Sequence, residues 1–340
     1  MWKSTRLTRR RFLELAAAAT GSTLIARHAP AQALVPMEAL QAGSPSPGAT
    51  TPPLYSQNDI EIFAEGIPHP EGIAFGSNGW IYTGSSRGHW QTGTGPICRI
   101  SPDGNTVEIF ADTGGLARGL AFDRHGNLYA CHRYPSQVLR IAPDGSVHVF
   151  ADSCGSRKFA WPNFLVFDDK GWLYVSDSGD TTTCGPTGAV YRFSPDGEGQ
   201  IFLDGVTFAN GLALAADGNA LYVVETCIHR VLRVPILRNG TAGQPEVFAD
   251  GLDAIPDGLA FDDVGNLYVT LFGTNQIIRI APNGAQSLLV KDSSYKRLYA
   301  PSNLAFGPPD NHGLYIANVV GTFISRLVID QAGMPLYSQR

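Results

Sequence analysis

A repeated segment is the feature of this sequence that most constrains its fold. A short motif, a polar residue followed by Gly-Leu-Ala-Phe or a close variant, recurs at spacings of 45 or 47 residues. Each copy precedes a turn and an aromatic strand, as in Gly126-Asn127-Leu128-Tyr129, and then strands separated by turns such as Pro143-Asp144-Gly145. The six copies begin at Glu71, Arg118, Asn163, Asn210, Asp257 and Ser302. Four short strands in a unit of about 46 residues predict one blade of a β-propeller.

The two ends of the repeat predict how the ring closes. Residues 60–63 (Ile-Glu-Ile-Phe) have the pattern of a fourth strand but precede the first motif, and the last unit stops after its third strand, near Ile329. We therefore predict an all-β, six-bladed β-propeller with four-stranded blades, in which the N-terminal strand completes the last blade and removes exposed sheet edges. One propeller domain then spans residues 58–340.

The first 33 residues have the features of an export signal. Residues 8–13 (Thr-Arg-Arg-Arg-Phe-Leu) form a twin-arginine motif, residues 13–26 form a short alanine-rich apolar stretch, and Ala31-Gln32-Ala33 is a typical cleavage site. We expect residues 1–33 to be a twin-arginine signal peptide that the export machinery recognises, which places the folded protein in the periplasm or outside the cell. A basic N-terminal helix of the mature protein is the alternative. Residues 34–57, rich in Pro, Ser and Gly, predict a linker.

The distribution of charge argues against several kinds of partner. The formal net charge is −5, but the first 33 residues hold six basic residues and one acidic residue, so the remainder carries −10. Such an acidic body disfavours nucleic acid and anionic membranes as partners. No long apolar run outside the signal predicts a membrane span. The expected partner is a small-molecule substrate.

The first residue of each motif, which we call an axial residue, is the candidate site. The Gly, Leu, Ala and Phe positions nearly repeat, whereas the axial position is polar in every copy and varies. The inner strands of a propeller start at one end of the channel, so these side chains face one volume. Two carboxylates (Glu71, Asp257) and two amides (Asn163, Asn210) form an oxygen set that suits one divalent cation, Ca²⁺ first and Mg²⁺, Mn²⁺, Fe²⁺ or Zn²⁺ as alternatives. Each residue taken alone fits a turn or capping role better, and the joint six-fold spacing is what favours a metal site.

Four segments carry a resemblance to a known family. Pro70-Glu71-Gly72, residues 209–213 (Ala-Asn-Gly-Leu-Ala), Pro256-Asp257-Gly258 and residues 301–307 (Pro-Ser-Asn-Leu-Ala-Phe-Gly) resemble the regucalcin/gluconolactonase family of six-bladed propellers over roughly residues 58–330. The resemblance implies hydrolysis of lactones or related esters. It also implies that Glu71, Asn210 and Asp257 ligate the metal and that Asn163 either ligates it or contacts the substrate.

One departure from the family pattern bears on the substrate. Sugar lactonases of this family commonly carry Arg two residues before the third axial residue, and here that position is Trp161. This disfavours an aldonolactone and favours a more apolar substrate, with Arg118 as another source of positive charge. Arg118, Trp161 and Asn163 are therefore the expected substrate contacts.

The expected mechanism follows from the metal. The cation would polarise the lactone carbonyl, and Asp257 would act as general base for the attacking water. The sequence contains no Gly-x-Ser-x-Gly nucleophile motif and no Gly-rich phosphate loop. Two alternatives stay open: a phosphotriester or fluorophosphate hydrolase using the same ligands, and a non-catalytic propeller that binds a ligand.

The sequence contains five cysteines, an odd number for a protein in an oxidising compartment. Cys154 and Cys184 are both expected on loops at the axial end of the channel, so a Cys154–Cys184 disulfide is geometrically reasonable. Cys98, Cys131 and Cys227 fall on or beside strands and are expected to be buried thiols.

Three histidines lie at or just after predicted second strands: His89, His132 and His229. Each could transfer a proton near neutral pH, and each could equally be a polar residue at the rim of the channel.

Overall fold

Six antiparallel sheets of four strands each surround a central channel and form the blades of a β-propeller. The computed structural model describes residues 52–335. The predicted signal peptide and residues 34–51 of the predicted linker lie outside this range. The fold class predicted from the repeat is confirmed. Among the described residues, no helix is long and apolar enough to cross a membrane.

The first three blades follow the chain from the channel outwards. Blade 1 contains β2 (Ala74–Phe75), β3 (Ile81–Gly84), β4 (Pro96–Ile100) and β5 (Val107–Asp112). Blade 2 contains β6 (Leu116–Phe122), β7 (Leu128–Arg133), β8 (Gln137–Ile141) and β9 (Val147–Ala151). A two-stranded hairpin of β10 (Ser153–Cys154) and β11 (Arg157–Lys158) leads to blade 3, which contains β12 (Pro162–Phe167), β13 (Leu173–Asp177), β14 (Gly188–Phe193) and β15 (Gly199–Val206).

The remaining blades complete the ring. Blade 4 contains β16 (Ala209–Leu214), β17 (Ala220–Glu225), β18 (Arg230–Pro235) and β19 (Glu246–Ala249). Blade 5 contains β20 (Ile255–Phe261), β21 (Leu267–Phe272), β22 (Gln276–Ile280) and β23 (Gln286–Lys291). Blade 6 contains β24 (Pro301–Gly307), β25 (Gly313–Asn318) and β26 (Phe323–Val328), and its fourth strand is β1 (Ile60–Glu65).

Pairing between β1 and β26 closes the ring, as predicted. The two strands run antiparallel, with Ile60 opposite Leu327 and Glu65 opposite Phe323. Ile60 is fully buried in a core cluster with residues of β24–β26. Since the first and last parts of the propeller share one sheet, blade 6 has four strands like the other blades and the ring is closed.

The phenylalanine that ends most copies of the motif packs between blades. In five of the six interfaces it meets, edge to face, the tyrosine of the neighbouring second strand, with ring centroids 4.9 to 5.3 Å apart. The pairs are Tyr82–Phe122, Tyr129–Phe167, Tyr222–Phe261, Tyr268–Phe306 and Tyr315–Phe75. This edge-to-face geometry stabilises aromatic pairs beyond the area that they bury, so the repeated Phe and Tyr positions are the contacts that join one blade to the next.

The motif glycine lies where inner strands of neighbouring blades touch. A Cβ atom on Gly72 would come within 2.1 Å of the carbonyl oxygen of Arg118, and one on Gly211 within 2.3 Å of that of Asp257. Real Cβ atoms do not approach backbone so closely, because the interior is already close-packed. Glycine at these positions therefore lets adjacent axial residues lie side by side.

Gly211→Ala is expected to destabilise the protein by about 3 kcal/mol, because the added methyl group would push β20 and Asp257 outwards. The free energy of unfolding in urea measures this. Gly185→Ala is the matched control, since its Cβ would make only ordinary contacts, the nearest at 3.4 Å. Equal stability of the two variants would contradict the packing argument.

Candidate metal centre

Five of the six axial residues occupy irregularities in their inner strands. The register between first and second strands shifts across Arg118, Asn163, Asn210, Asp257 and Ser302. A β-bulge bends the strand and re-aims a side chain. The backbone at these five axial positions therefore departs from the regular sheet.

The sixth axial residue, Glu71, precedes the short strand β2. Its N–H donates to the carbonyl of Gly84, and its own carbonyl accepts from the Thr83 hydroxyl. Glu71 is buried, as are four of the others, whereas Asp257 is half-buried. Asp257 is thus the most accessible of the axial side chains.

An ion pair between two axial residues is the feature that sequence reasoning missed. Arg118 Nη1 donates to Glu71 Oε1 at 2.5 Å, and both side chains are buried. Burial raises the pKa of Glu71, and the guanidinium of Arg118 partly offsets this rise. Arg118, predicted to contact substrate, therefore also holds one carboxylate oxygen of a predicted metal ligand.

Two of the other predicted ligands, Glu71 and Asn210, affect the pKa of Asp257. Burial raises its pKa well above the usual value, and the negative charge of Glu71 raises it further. Arg118 and a hydrogen bond from Asn210 act in the opposite direction. Burial and a second carboxylate both raise the proton affinity of Asp257, and a cation would bind favourably at such a place.

Hydroxyl groups at the ends of second strands orient both axial amides. Asn163 Nδ2 donates to Ser178 Oγ at 3.1 Å, and this hydroxyl donates to the backbone carbonyl of the next blade. Asn210 Nδ2 donates to Thr226 Oγ1 at 3.0 Å, which in turn donates to Pro256. Since each amide nitrogen is held, the amide oxygen is left to face another ligand.

The axial oxygens fit a hard cation. Glu71 Oε2, Asn210 Oδ1 and Ser302 Oγ are buried and have no hydrogen-bond partner within residues 52–335. Within the same range no three His, Cys, Asp or Glu side chains come together, so a cation here would depend on amide oxygens beside the two carboxylates. Buried oxygens without donors, together with two carboxylates, match the ligand preference of Ca²⁺.

Trp161 and Arg133 lie beside the axial set. The guanidinium of Arg133 stacks on the Trp161 ring, and the Cζ atom of Arg118 lies 5.3 Å from the centre of that ring. Asp177 fixes the backbone here, because its carboxylate accepts from the N–H groups of Ala160 and Trp161 at 2.8 and 2.7 Å. Burial and the charge of Arg118 lower the pKa of Arg133 to about 10. The sequence placed Trp161 near the site but did not indicate Arg133.

Apolar side chains cover the axial end of the channel. Phe208, Ile255, Phe272, Ala300 and Val319 form one buried cluster, against which Trp90 and two cysteines pack. These residues come from blades 1 and 3–6, at the ends where the inner strands begin. Apolar groups therefore pack together at the end of the channel where the axial residues lie.

The Cys154–Cys184 pairing that the sequence suggested is wrong. Cys184 is bonded instead to Cys227, with Cα atoms 5.7 Å apart, so Cys227 is not a free thiol. Both lie just beyond the second strands of adjacent blades, where their loops meet. Cys154 lies on β10 and packs in the core with Phe159 and Tyr191. Cys98 and Cys131 are buried free thiols, as predicted.

The histidines take different positions. His132 is buried, its Nδ1 donates to the carbonyl of Pro135, and burial lowers its pKa. His89 stacks on Trp90, and burial lowers its pKa as well. His229 is buried at the turn after β17. Within residues 52–335, the hydrogen bonds and ring contacts of His89 and His132 are with groups other than the axial side chains.

A cavity lies at the opposite end of the channel. Its volume is about 430 Å³, and its walls include Phe75, Phe122, Phe261 and Phe306, the last or nearly last residues of their inner strands. None of the six axial residues lines it. Charged side chains, among them Asp168, Lys170 and Arg192, also line this cavity, but the predicted metal ligands lie at the axial end.

The fold and the axial residues together define a six-bladed propeller of the lactonase type. Residues 92–319 match the family described as SMP-30/Gluconolactonase/LRE-like region, and the chain belongs to this family. Residues 58–89 match the N-terminal region of strictosidine synthase-like proteins. The family resemblance in the sequence is thereby confirmed.

Three comparisons illustrate the range of relatives. The chain is 29% identical over 244 residues to STRICTOSIDINE SYNTHASE-LIKE 6 of Arabidopsis thaliana, a match that covers 66% of this chain and 62% of that protein. It is 32% identical over 163 residues to lactonase drp35 of Staphylococcus aureus, covering 46% of each. The structure of a calcium-binding regucalcin from Agrobacterium tumefaciens superimposes with a TM-score of 0.65, 18% identity and coverage of 84% of this chain and 99% of that one.

Proposed function

We propose that this protein is a metal-dependent hydrolase that opens a lactone ring. The observation that carries the proposal is the axial set itself, in which unpartnered buried oxygens of Glu71 and Asn210 accompany the coupled carboxylate of Asp257. The similarity to a lactonase and the fold shared with a calcium-binding protein support it.

Four axial residues would hold the cation, with Ca²⁺ as first choice: Glu71, Asn163, Asn210 and Asp257. The chemistry that a divalent cation supplies in such a site is Lewis-acid polarisation of a carbonyl oxygen. Asp257, the half-buried carboxylate, is the general base that accepts a proton from the attacking water. Arg118, Trp161 and the amide of Asn163 contact the substrate.

Thr226→Val is expected to weaken Ca²⁺ binding about 10- to 100-fold, because the amide of Asn210 would lose the hydroxyl that orients it. Valine keeps the shape of threonine, so the fold should persist. Thr241→Val, on an exposed turn of the same blade, is the control and should not change affinity. Calorimetric titration of each variant with Ca²⁺ measures the effect, and equal affinities would remove Thr226 from the account.

The activity is tested with chelator-treated protein assayed against a panel of lactones, aryl esters and phosphotriesters, with and without added Ca²⁺. Lactone turnover that depends on the cation supports the proposal. Cation-dependent turnover of phosphotriesters alone would replace it with the alternative hydrolase, and cation binding without turnover of any of these substrates would replace it with a binding propeller.

A further inference from the structure

Unsatisfied hydrogen-bonding groups near the channel separate into two kinds. The axial oxygens described above are acceptors. Next to them, Arg118, Arg133 and Trp161, which we call the donor cluster, contain only donors. Within residues 52–335, Arg118 Nε and Nη2, Arg133 Nε and Nη1, and the Trp161 indole nitrogen are buried without a hydrogen-bond partner. Buried charged donors without acceptors are costly, so an acceptor that arrives with a ligand would be bound favourably.

The residues of the donor cluster are buried and held in place by ring contacts. Arg118 and Arg133 are 5% and 2% exposed, and both come from blade 2, on β6 and at the end of β7. The faces of the Arg133 guanidinium are occupied, since it lies over the Trp161 ring with the Tyr134 ring 4.7 Å away. Stacking leaves the N–H groups in the guanidinium plane for hydrogen bonds, and the unpartnered Nε and Nη2 of Arg118 are an adjacent pair that can bind a planar anion through two parallel bonds.

The charges around the cluster indicate how much negative charge it would accept. Glu71 and Asp257 belong to the axial set, and the third nearby carboxylate, Asp177, accepts from three backbone N–H groups. Three carboxylates face two guanidinium groups, which leaves one negative charge. With the proposed dication the sum becomes one positive charge, which a single carboxylate balances and a phosphate dianion exceeds.

We propose that the donor cluster binds a carboxylate carried by the substrate, so that the preferred substrate is an anionic lactone rather than a neutral sugar lactone. This inference rests on the proposed function, because it assigns the substrate class of the same site. Arg133 is a specificity-determining residue in this account. The apolar groups at the axial end would contact the uncharged part of the substrate.

Hydrolysis tests the preference through a matched pair of substrates. We expect the full-length protein with Ca²⁺ to hydrolyse 5-oxotetrahydrofuran-2-carboxylate with kcat/KM about 30-fold above that for the corresponding carboxamide. Arg133→Gln should remove most of this ratio by lowering kcat/KM for the carboxylate far more than for the carboxamide. Arg140→Gln, an exposed arginine on the same blade, should leave the ratio intact. If Arg133→Gln lowers both rates equally, or if the carboxamide is preferred, the proposal is overturned.

A binding measurement tests this inference separately from the proposed function, because unreactive ligands can bind without being hydrolysed. Tetrahydrofuran-2-carboxylate lacks the reactive carbonyl, and its carboxamide is the neutral match. Calorimetry should show at least tenfold tighter binding of the carboxylate, lost in Arg133→Gln and partly kept in Arg133→Lys, even if no lactone is hydrolysed. Equal binding of both probes would overturn the inference and leave lactone hydrolysis standing.

A product-inhibition assay shows whether the donor cluster binds a carboxylate of the substrate or the carboxylate that hydrolysis creates. The neutral lactone gives a hydroxy acid that carries only the new carboxylate. If Arg133→Gln relieves inhibition by this product but leaves the preference for the anionic lactone unchanged, the cluster holds the product and the proposal fails. If Arg133→Gln does not fold, Arg133→Lys, which keeps the charge but loses the planar fork, serves in both assays.

Discussion

Asp257→Asn is expected to change activity and stability in opposite directions. Without its general base, the protein should lose about 10³-fold in kcat/KM for lactone hydrolysis. In the metal-free protein the same change should raise the free energy of unfolding by about 1–2 kcal/mol at pH 7, because asparagine removes a carboxylate whose charge burial and Glu71 disfavour. Urea unfolding of chelated protein measures the second effect. Asp253→Asn, an exposed aspartate four residues earlier, is the control.

The pH dependence of stability supplies an independent check on Asp257. The pKa values of Asp257 and Glu71 are both raised in the folded protein, so folding takes up protons at these groups. Their contribution to the unfolding free energy is fully present below the ordinary carboxyl pKa, near 4, and falls as pH rises through the raised values. Asp257→Asn should flatten this fall, and saturating Ca²⁺ should restore the advantage of the wild type. A metal-free variant that is less stable than wild type throughout this range would contradict the coupling.

Glu71→Gln is expected to destabilise the protein by about 1–3 kcal/mol, because the cost of leaving the buried guanidinium of Arg118 without a carboxylate exceeds the gain from removing a charge that burial disfavours. The unfolding free energy in urea at pH 7 measures the loss. Glu65→Gln, an exposed glutamate of β1, should cost almost nothing. A loss below about 1 kcal/mol would mean that the ion pair contributes little to folding.

A double substitution separates stability from metal binding at Glu71. Glu71→Gln combined with Arg118→Met removes both charges, so most of the lost stability should return. Ca²⁺ binding should not return, since a ligand is still missing. Recovery of Ca²⁺ binding in the double variant would remove Glu71 from the proposed ligand set.

The architecture could be predicted from the sequence because each blade repeats the same local signals. Glycine turns, the strand tyrosine and the motif phenylalanine recur at a fixed period, and the structure shows that Gly211 and the Tyr222–Phe261 pair occupy required contacts. The axial positions followed from the same period. Ring closure by residues 60–65 could be predicted because one strand was in excess at the beginning and one was missing at the end.

The contacts within the site could not be predicted in the same way. Spacing places Arg118 in the ring but does not determine that its side chain turns to Glu71, since that depends on the rotamers of two neighbouring blades. The disulfide was misassigned because Cys154 enters the core, where its side chain packs on aromatic rings. The orienting hydroxyls Ser178 and Thr226 did have a signal, since each follows its strand tyrosine by four residues.

The central claim is that the axial set holds one divalent cation, and calorimetric titration of chelator-treated protein with Ca²⁺ tests it most directly. We expect one site per chain in the wild type, loss of that site in Asp257→Asn, and an unchanged site in Asp253→Asn. Absence of a stoichiometric site in the wild type across Ca²⁺, Mg²⁺, Mn²⁺, Fe²⁺ and Zn²⁺, or a site that survives Asp257→Asn with full affinity, would contradict it.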